Sequence, residues 1–135
     1  MEKRPATILV VDDNPTNLKL VSDILGMEGH NILKARDAEQ AQLILQNSLP
    51  DLILMDIALP GMDGLTLTRK LKAGPATQHI CIVALTAFAM KGDDRKAQGA
   101  GCDGYITKPI DTRKFPGEVA KYLESAKEKH EHPDH

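Results

Sequence analysis

Residues 8–29 have the sequence ILVVDDNPTNLKLVSDILGMEG, in which a strand-sized apolar run leads directly into a helix-sized pattern. Residues 8–11 are continuously apolar, as in a strand covered by other elements on both faces. Asn14 can cap a helix whose first position is Pro15, and Gly29 can end it. A buried strand followed at once by a capped helix is the repeating unit of an α/β protein.

Further strand-sized runs continue this alternation along the chain. The five runs are residues 8–11, 31–35, 52–57, 80–86 and 104–107. The first, third and fourth are almost continuously apolar, which predicts central strands, whereas the second and fifth are more mixed and suit the edges of a sheet.

Helical patterns follow each of these runs. Asp37 with Gln40 forms a capping-box pattern, and another helix can begin after Asp63. The fourth pattern, at about 88–99, has little apolar surface, and the fifth becomes regular at or just after Pro116. Strands that alternate with helices predict a three-layer α/β sandwich, with right-handed crossovers and helices on both faces of a parallel sheet.

Composition excludes several classes of protein. The chain has 135 residues, 41% of them hydrophobic and 27% charged, with a formal net charge of -2, which is typical of one soluble globular domain. No surplus of positive charge favours nucleic acid, and no apolar run is long enough for a membrane span. The N-terminal segment has no signal-peptide pattern, so we expect a cytoplasmic protein. Cys81 and Cys102 are interpreted as reduced packing residues.

Polar side chains stand at the ends of four predicted strands. Asp12 and Asp13 follow the first, Asp56 the third, Thr86 the fourth and Lys108 the fifth. Ligands of a parallel sheet bind beyond the carboxyl ends of its strands. Each residue alone has an ordinary explanation as a helix cap, a turn former, a strand residue or a solvated charge. Together they predict a site at one edge of the sheet.

The charges of this predicted site are unbalanced. Two carboxylates about 4 Å apart repel by ~4 kcal/mol at an effective dielectric constant of 20. Lys108 supplies one positive charge, and a divalent cation would cancel the remaining two negative ones. The oxygen ligands favour Mg²⁺, or Mn²⁺, over zinc. Such a site suits phosphoryl transfer, and without a glycine-rich phosphate loop the phosphate would sit on a carboxylate, most naturally Asp56.

Four stretches resemble one known family, the receiver domains of bacterial two-component response regulators, and in particular its single-domain chemotaxis and cell-division types. The stretches are ILVVDDNPTN, DLILMDIALPGMDG, IVALTAFA and GCDGYITKPID. The resemblance covers about residues 7–123. It implies a flavodoxin-like fold with five parallel strands in the order 2-1-3-4-5, formed by residues 1–124, and it leaves residues 125–135 as a charged tail, which we expect to be frayed.

The resemblance also implies roles for the acidic residues. Asp56 would be the phosphorylated residue. Asp13, Asp56 and the backbone carbonyl of Ala58 would bind Mg²⁺ directly, while Asp12 would hold it mainly through water. Lys108 would pair with a phosphoryl oxygen.

The resemblance also implies how the domain would respond to a phosphate on Asp56. Thr86 would hydrogen-bond the phosphate with help from the backbone amide of Ala87, and Tyr105 would turn inward when Thr86 moves. The Lys108–Pro109 peptide would be cis. The donor would be a sensor histidine kinase or a histidine phosphotransfer protein, and the chain itself a monomer or weak dimer that acts on a downstream protein.

Other interpretations remain open at this stage. The chain could be a receiver fragment of a hybrid kinase or a multidomain regulator. A haloacid dehalogenase-type phosphatase would place a D-x-D motif after the first strand, which the residues at 12–14 do not supply. A flavodoxin-like electron carrier would place flavin phosphate near carboxylates that repel it.

Overall fold

The fold is seen in a computed structural model that describes residues 6–59, 61–86 and 93–131, with side chains described at all of these except 93–94 and 127–131. One parallel sheet has the strand order β2-β1-β3-β4-β5. The strands are β1 (Thr7–Val11), β2 (Asn31–Ala35), β3 (Leu52–Asp56), β4 (Cys81–Thr86) and β5 (Gly104–Thr107). The helices are α1 (Pro15–Met27), α2 (Ala38–Leu45), α3 (Gly64–Ala73), α4 (Asp93–Ala100) and α5 (Phe115–Glu131).

The strand predictions are confirmed to within one residue at each end. β1 begins one residue earlier than predicted, β3 ends one residue earlier, and β4 begins one residue later. The two strands with mixed sequences, β2 and β5, lie at the edges of the sheet. Continuous apolar runs and central strands coincide because a central strand loses contact with water on both faces.

Side-chain caps set the starts of the first three helices, as the sequence predicts for the first two. The side-chain oxygens of Asn14, Asp37 and Asp63 each accept a hydrogen bond from the backbone N–H three residues later, at 2.8–3.1 Å. The capping box at α2 differs in one detail, since the Gln40 side chain accepts from the N–H of Arg36, the residue before the cap.

The last two helices differ from the predicted bounds. The predicted fourth helix covered 88–99, of which 88–92 lie outside the described residues, and α4 as described ends one residue later than predicted. α5 begins at Phe115, one residue before Pro116, because proline is tolerated in the first turn of a helix. It continues to Glu131, so residues 125–131 extend the helix where a frayed end was expected. The division of the chain at residue 124 stays a prediction.

Alternation along β1 divides the core into two layers. Ile8 and Val10 pack with the buried residues of α1 and α5, whereas Leu9 and Val11 pack with those of α2 and α3 on the other face. The three-layer sandwich is thereby confirmed. Cys81 is buried and Cys102 half-buried, and neither forms a disulfide. Within the described ranges, no helix has the length and apolar character needed to cross a membrane.

Ser22 of α1 is a buried polar residue inside this apolar layer. Its side-chain hydroxyl makes no hydrogen bond to any described group. Ser22→Ala should raise the free energy of unfolding by about 1 kcal/mol, because it removes an unsatisfied group and adds a better helix former. Denaturant unfolding measures the change, with Ser125→Ala on the exposed side of α5 as the control for helix propensity alone. A destabilised Ser22→Ala would show that the hydroxyl has a partner in solution.

Candidate functional site

The strand order brings the predicted site residues to one edge of the sheet. β1 and β3 are neighbours with Val11 opposite Met55, so the next residues, Asp12 and Asp56, lie side by side where both strands end. Thr86 ends the adjacent strand β4. The predicted convergence is confirmed for the carboxylates, and Thr86 lies at the same edge of the sheet.

Three carboxylates and one ammonium form the centre of the site. Oxygens of Asp12, Asp13 and Asp56 lie within 4.8 Å of one another. Asp12 is fully buried and Asp56 is 4% exposed, whereas Asp13 is exposed. Lys108 Nζ lies 3.5 Å from Asp12 Oδ2 and 3.4 Å from Asp56 Oδ2. The ammonium therefore bridges the two buried carboxylates.

Both buried carboxylates are held by the same local turn. Asp12 Oδ1 accepts from the N–H of Asn14 at 2.9 Å, and Asp56 Oδ1 accepts from the N–H of Ala58 at 3.0 Å. These are Asx turns, in which an aspartate bonds to the backbone two residues on. Each turn fixes one oxygen in the loop and directs the other toward Lys108.

Asn17 is a site residue that the sequence reasoning missed. Its side-chain Nδ2 donates a hydrogen bond to Asp12 Oδ2, and its backbone N–H donates to the capping oxygen of Asn14. Its sequence position could have indicated this contact, because side chains at the third position of a capped helix commonly bond to the preceding loop.

Gly64 is a second residue whose contribution was missed. A Cβ there would overlap the carbonyl oxygen of Asp56 and lie 2.8 Å from Ile57 Cα. The absence of a side chain lets α3 begin against the end of β3. The backbone that carries Asp56 is thus covered on one side by the first turn of α3.

Thr86 and Tyr105 share one face of the sheet. The register pairs Thr86 with Thr107 and Ala84 with Tyr105, so both side chains lie on the face opposite Val83 and Leu85. Thr86 is buried and Tyr105 is 45% exposed. The implied role of the Ala87 amide falls outside the described residues. The Lys108–Pro109 peptide is cis, as the resemblance implied.

The carboxyl group of Asp56 titrates in an unusual environment. Burial raises its pKa most strongly, the Ala58 N–H and Lys108 lower it, and Asp12 raises it again, with a net shift upward. The folded state therefore disfavours the ionised form, and it does so because the site confines negative charge away from water.

This shift predicts a pH dependence of stability. Between the ordinary pKa of 3.8 and the raised value, the folded state binds more protons than the unfolded one, so the free energy of unfolding falls as pH rises through that window. At neutral pH, without divalent cations, Asp56→Asn should be more stable than the wild type by about 1 kcal/mol, since Lys108 offsets most of the repulsion. The gain should vanish below that window.

Thermal unfolding in the presence of chelator, from about pH 3 to about pH 8, measures this dependence. Asp23→Asn, an exposed carboxylate of α1, is the control and should show no comparable pH-dependent gain. An Asp56→Asn protein less stable than the wild type at neutral pH would contradict the assignment.

The donor set fits a hard divalent cation. Three carboxylates and one ammonium leave two negative charges, and every ligand atom is an oxygen. Mg²⁺ and Mn²⁺ prefer such ligands and keep several waters, so the exposed position of Asp13 suits them.

Comparison with known proteins gives one consistent family. A model of the response regulator receiver domain family matches residues 8–120. The polar-differentiation response regulator DivK of Brucella anthropi is 39% identical over 122 residues, which are 90% of this chain and 99% of DivK.

Two solved structures share the fold. The receiver domain of a signal transduction histidine kinase from Syntrophus aciditrophicus has a TM-score of 0.82 at 32% identity, covering 89% of this chain and 91% of that one. A CheY-like receiver domain protein from Methanospirillum hungatei has a TM-score of 0.84 at 27% identity, covering 93% of this chain and 99% of that one.

Proposed function

The chain belongs to the response regulator receiver domain family, the phosphorylation-activated switches of two-component systems, and from this premise we propose that Asp56 is its phosphoacceptor. The observation that carries the proposal is the Lys108 ammonium, 3.4 Å from Asp56 Oδ2 inside a group of three carboxylates. A carboxylate beside a cation, in a site suited to Mg²⁺, can attack a phosphoryl group that those positive charges neutralise.

Asp56 is better placed to attack than the other two carboxylates. Asp12 Oδ2 already accepts from Asn17, and Asp12 is fully buried. Asp13 lies at the exposed side of the cluster, suited to a ligand. Asp56 Oδ2 lies 3.4 Å from the Lys108 ammonium, and its partner oxygen Oδ1 is the one that accepts the Ala58 N–H. Oδ2 keeps a lone pair for the phosphorus atom.

Asp13, Asp56 and the Ala58 carbonyl would hold Mg²⁺ directly, and Asp12 would hold it through water. The bound ion supplies positive charge to the phosphoryl oxygens. Asp56 Oδ2 attacks phosphorus in line, the P–N bond to a donor histidine breaks as the P–O bond forms, and the imidazole leaves. Lys108 pairs with a phosphoryl oxygen throughout. The chain thereby assists its own phosphorylation and dephosphorylation without turning over another substrate.

The signal would pass from Thr86 to Tyr105. Phosphorylation replaces one carboxylate charge with about two, so the site gains roughly one negative charge. The Thr86 hydroxyl is drawn to donate to it. Tyr105, on the same face of the neighbouring strand, would then turn inward and alter the surface formed by α4, β5 and α5. A downstream protein that prefers the altered surface stabilises the phosphorylated state in return.

The partners that we propose are those that membership of the family implies. The phosphoryl donor is a histidine kinase or histidine phosphotransfer protein, and the cytoplasm is the compartment that supplies its ATP. The chain covers 99% of DivK, and this supports a role like that of a single-domain regulator. We further propose that it acts as a monomer or weak dimer.

A direct test uses phosphoramidate as the donor. With Mg²⁺ present, intact-mass spectrometry should show the addition of one phosphoryl group per chain, and hydroxylamine should remove it as expected of an acyl phosphate. A chain that stays unmodified under these conditions would overturn the proposal. Steady turnover of an added phosphate ester would instead support a phosphatase.

Thr86→Ala should separate phosphorylation from the response to it. The variant should be labelled to a similar extent, but the ring signals of Tyr105 in NMR spectra should shift by less than about a quarter of the wild-type change, because no hydroxyl links the phosphate to β4. The small number of tyrosines, two, makes this assignment simple. Thr107→Ala, the exposed partner of Thr86 in the register, is the control. A full Tyr105 shift in Thr86→Ala would remove Thr86 from the pathway.

A further inference from the structure

Asn17 is the one described side chain of α1 that donates a hydrogen bond to the acidic cluster. Its position is fixed from its own backbone, whose N–H donates to Asn14 Oδ1 at 3.1 Å. The N–H of Asn14 in turn donates to Asp12 Oδ1 at 2.9 Å. Asn14, which caps α1, and Asn17 are therefore both hydrogen-bonded to the carboxylate of Asp12, one through its backbone N–H and the other through its side-chain amide.

These hydrogen bonds distinguish two carboxylates that are otherwise held alike. Asp12 and Asp56 each bond one oxygen within an Asx turn and direct the other at Lys108, at 3.5 and 3.4 Å. Among the side-chain amides of the described residues, Asn17 bonds the second oxygen of Asp12, and none is seen to bond that of Asp56. Without Asn17, Asp12 Oδ2 would lose its amide donor and would compete more strongly with Asp56 for the Lys108 ammonium.

We propose that Asn17 is a positioning residue. Its amide holds the Asp12 carboxylate in its place within the cation site, which leaves Lys108 available to Asp56. The inference rests on the proposed function, since it concerns how this site binds Mg²⁺ and receives a phosphoryl group. Removal of a group that hydrogen-bonds to a metal ligand and orients it commonly lowers the affinity for the metal by roughly 10–100-fold. Asn17 acts through Asp12 and does not itself contact the ion.

The test is a double-mutant cycle of Asn17→Leu and Asp12→Asn. Leucine has the same branching at Cγ as asparagine and keeps the helix, but it cannot donate. Since the chain has no tryptophan, Mg²⁺ affinity is measured by isothermal titration calorimetry. We expect Asn17→Leu to weaken Mg²⁺ binding by about tenfold in the wild-type background and by less than about twofold in the Asp12→Asn background.

A second readout needs no cation. In chelator, Asn17→Leu should lower the unfolding temperature in the wild-type background and change it much less in the Asp12→Asn background. Thr16→Val, the exposed neighbour in the same helical turn, is the control and should alter neither readout. Asn17→Gln, which restores an amide donor, should recover most of the Mg²⁺ affinity.

Equal effects of Asn17→Leu in both backgrounds would overturn the inference, because they would show a contribution to helix stability alone. An Asn17→Gln protein as weak as Asn17→Leu would also overturn it. Failure of the wild-type chain to bind Mg²⁺ would overturn the proposed function itself. If the chain does bind Mg²⁺ but Asn17→Leu has equal effects in both backgrounds, only the role of Asn17 is overturned.

Discussion

Asp56→Asn is expected to abolish labelling of the chain by phosphoramidate, with a fall in rate of about 10³-fold or more, because an amide is a poor nucleophile toward phosphorus. The variant should still fold, since Asn Oδ1 can accept the Ala58 N–H that Asp56 Oδ1 accepts now. Intact-mass spectrometry over a time course measures the rate, and thermal unfolding confirms the fold.

Asp23→Asn provides the matched control for this variant. It makes the same chemical change on the exposed surface of α1, away from the acidic cluster, and should be labelled like the wild type. Stoichiometric labelling of Asp56→Asn at the wild-type rate would show that another side chain accepts the phosphoryl group.

Loss of the divalent cation should have the second largest effect. In chelator the two uncompensated negative charges of the cluster face an anionic donor, so the labelling rate should fall by about 10²-fold or more. Asp13→Asn should reproduce much of this loss in the presence of Mg²⁺. Because Asp13 is exposed, its replacement should leave the unfolding temperature almost unchanged.

Glu124→Gln, an exposed carboxylate of α5, is the control and should keep the wild-type response to Mg²⁺. Labelling that proceeds equally well in chelator would contradict the cation's part in the reaction. An Asp13→Asn chain with unchanged Mg²⁺ affinity would remove that residue from the ligand set.

The elements that could be predicted from sequence are those with local causes. Caps such as Asn14 and Asp63 act on the N–H three residues ahead, and a buried strand such as β3 is visible as an unbroken apolar run. The meeting of Asp12 and Asp56 followed from one further step, since parallel strands end at the same edge of a sheet. The strand order itself came from the resemblance to receiver domains.

The features that escaped prediction depend on side-chain direction or on contacts between elements. The amide of Asn17 donates to Asp12 across the loop between β1 and α1, and the sequence does not show in which direction that side chain extends. The need for glycine at position 64 arises from the approach of α3 to the carbonyl of Asp56, which no local pattern records. The extension of α5 to Glu131 ran against an expectation based on charge, although charged residues such as lysine and glutamate are good helix formers.

The location of the phosphoryl group within the chain is the most direct evidence on how this site works. After reaction with phosphoramidate and Mg²⁺, borohydride reduces an aspartyl phosphate to homoserine, which peptide mass spectrometry can place in the sequence. We expect homoserine at position 56 alone, and none when chelator replaces Mg²⁺. Homoserine at position 12 or 13, or at 56 in equal amount without the cation, would contradict the account.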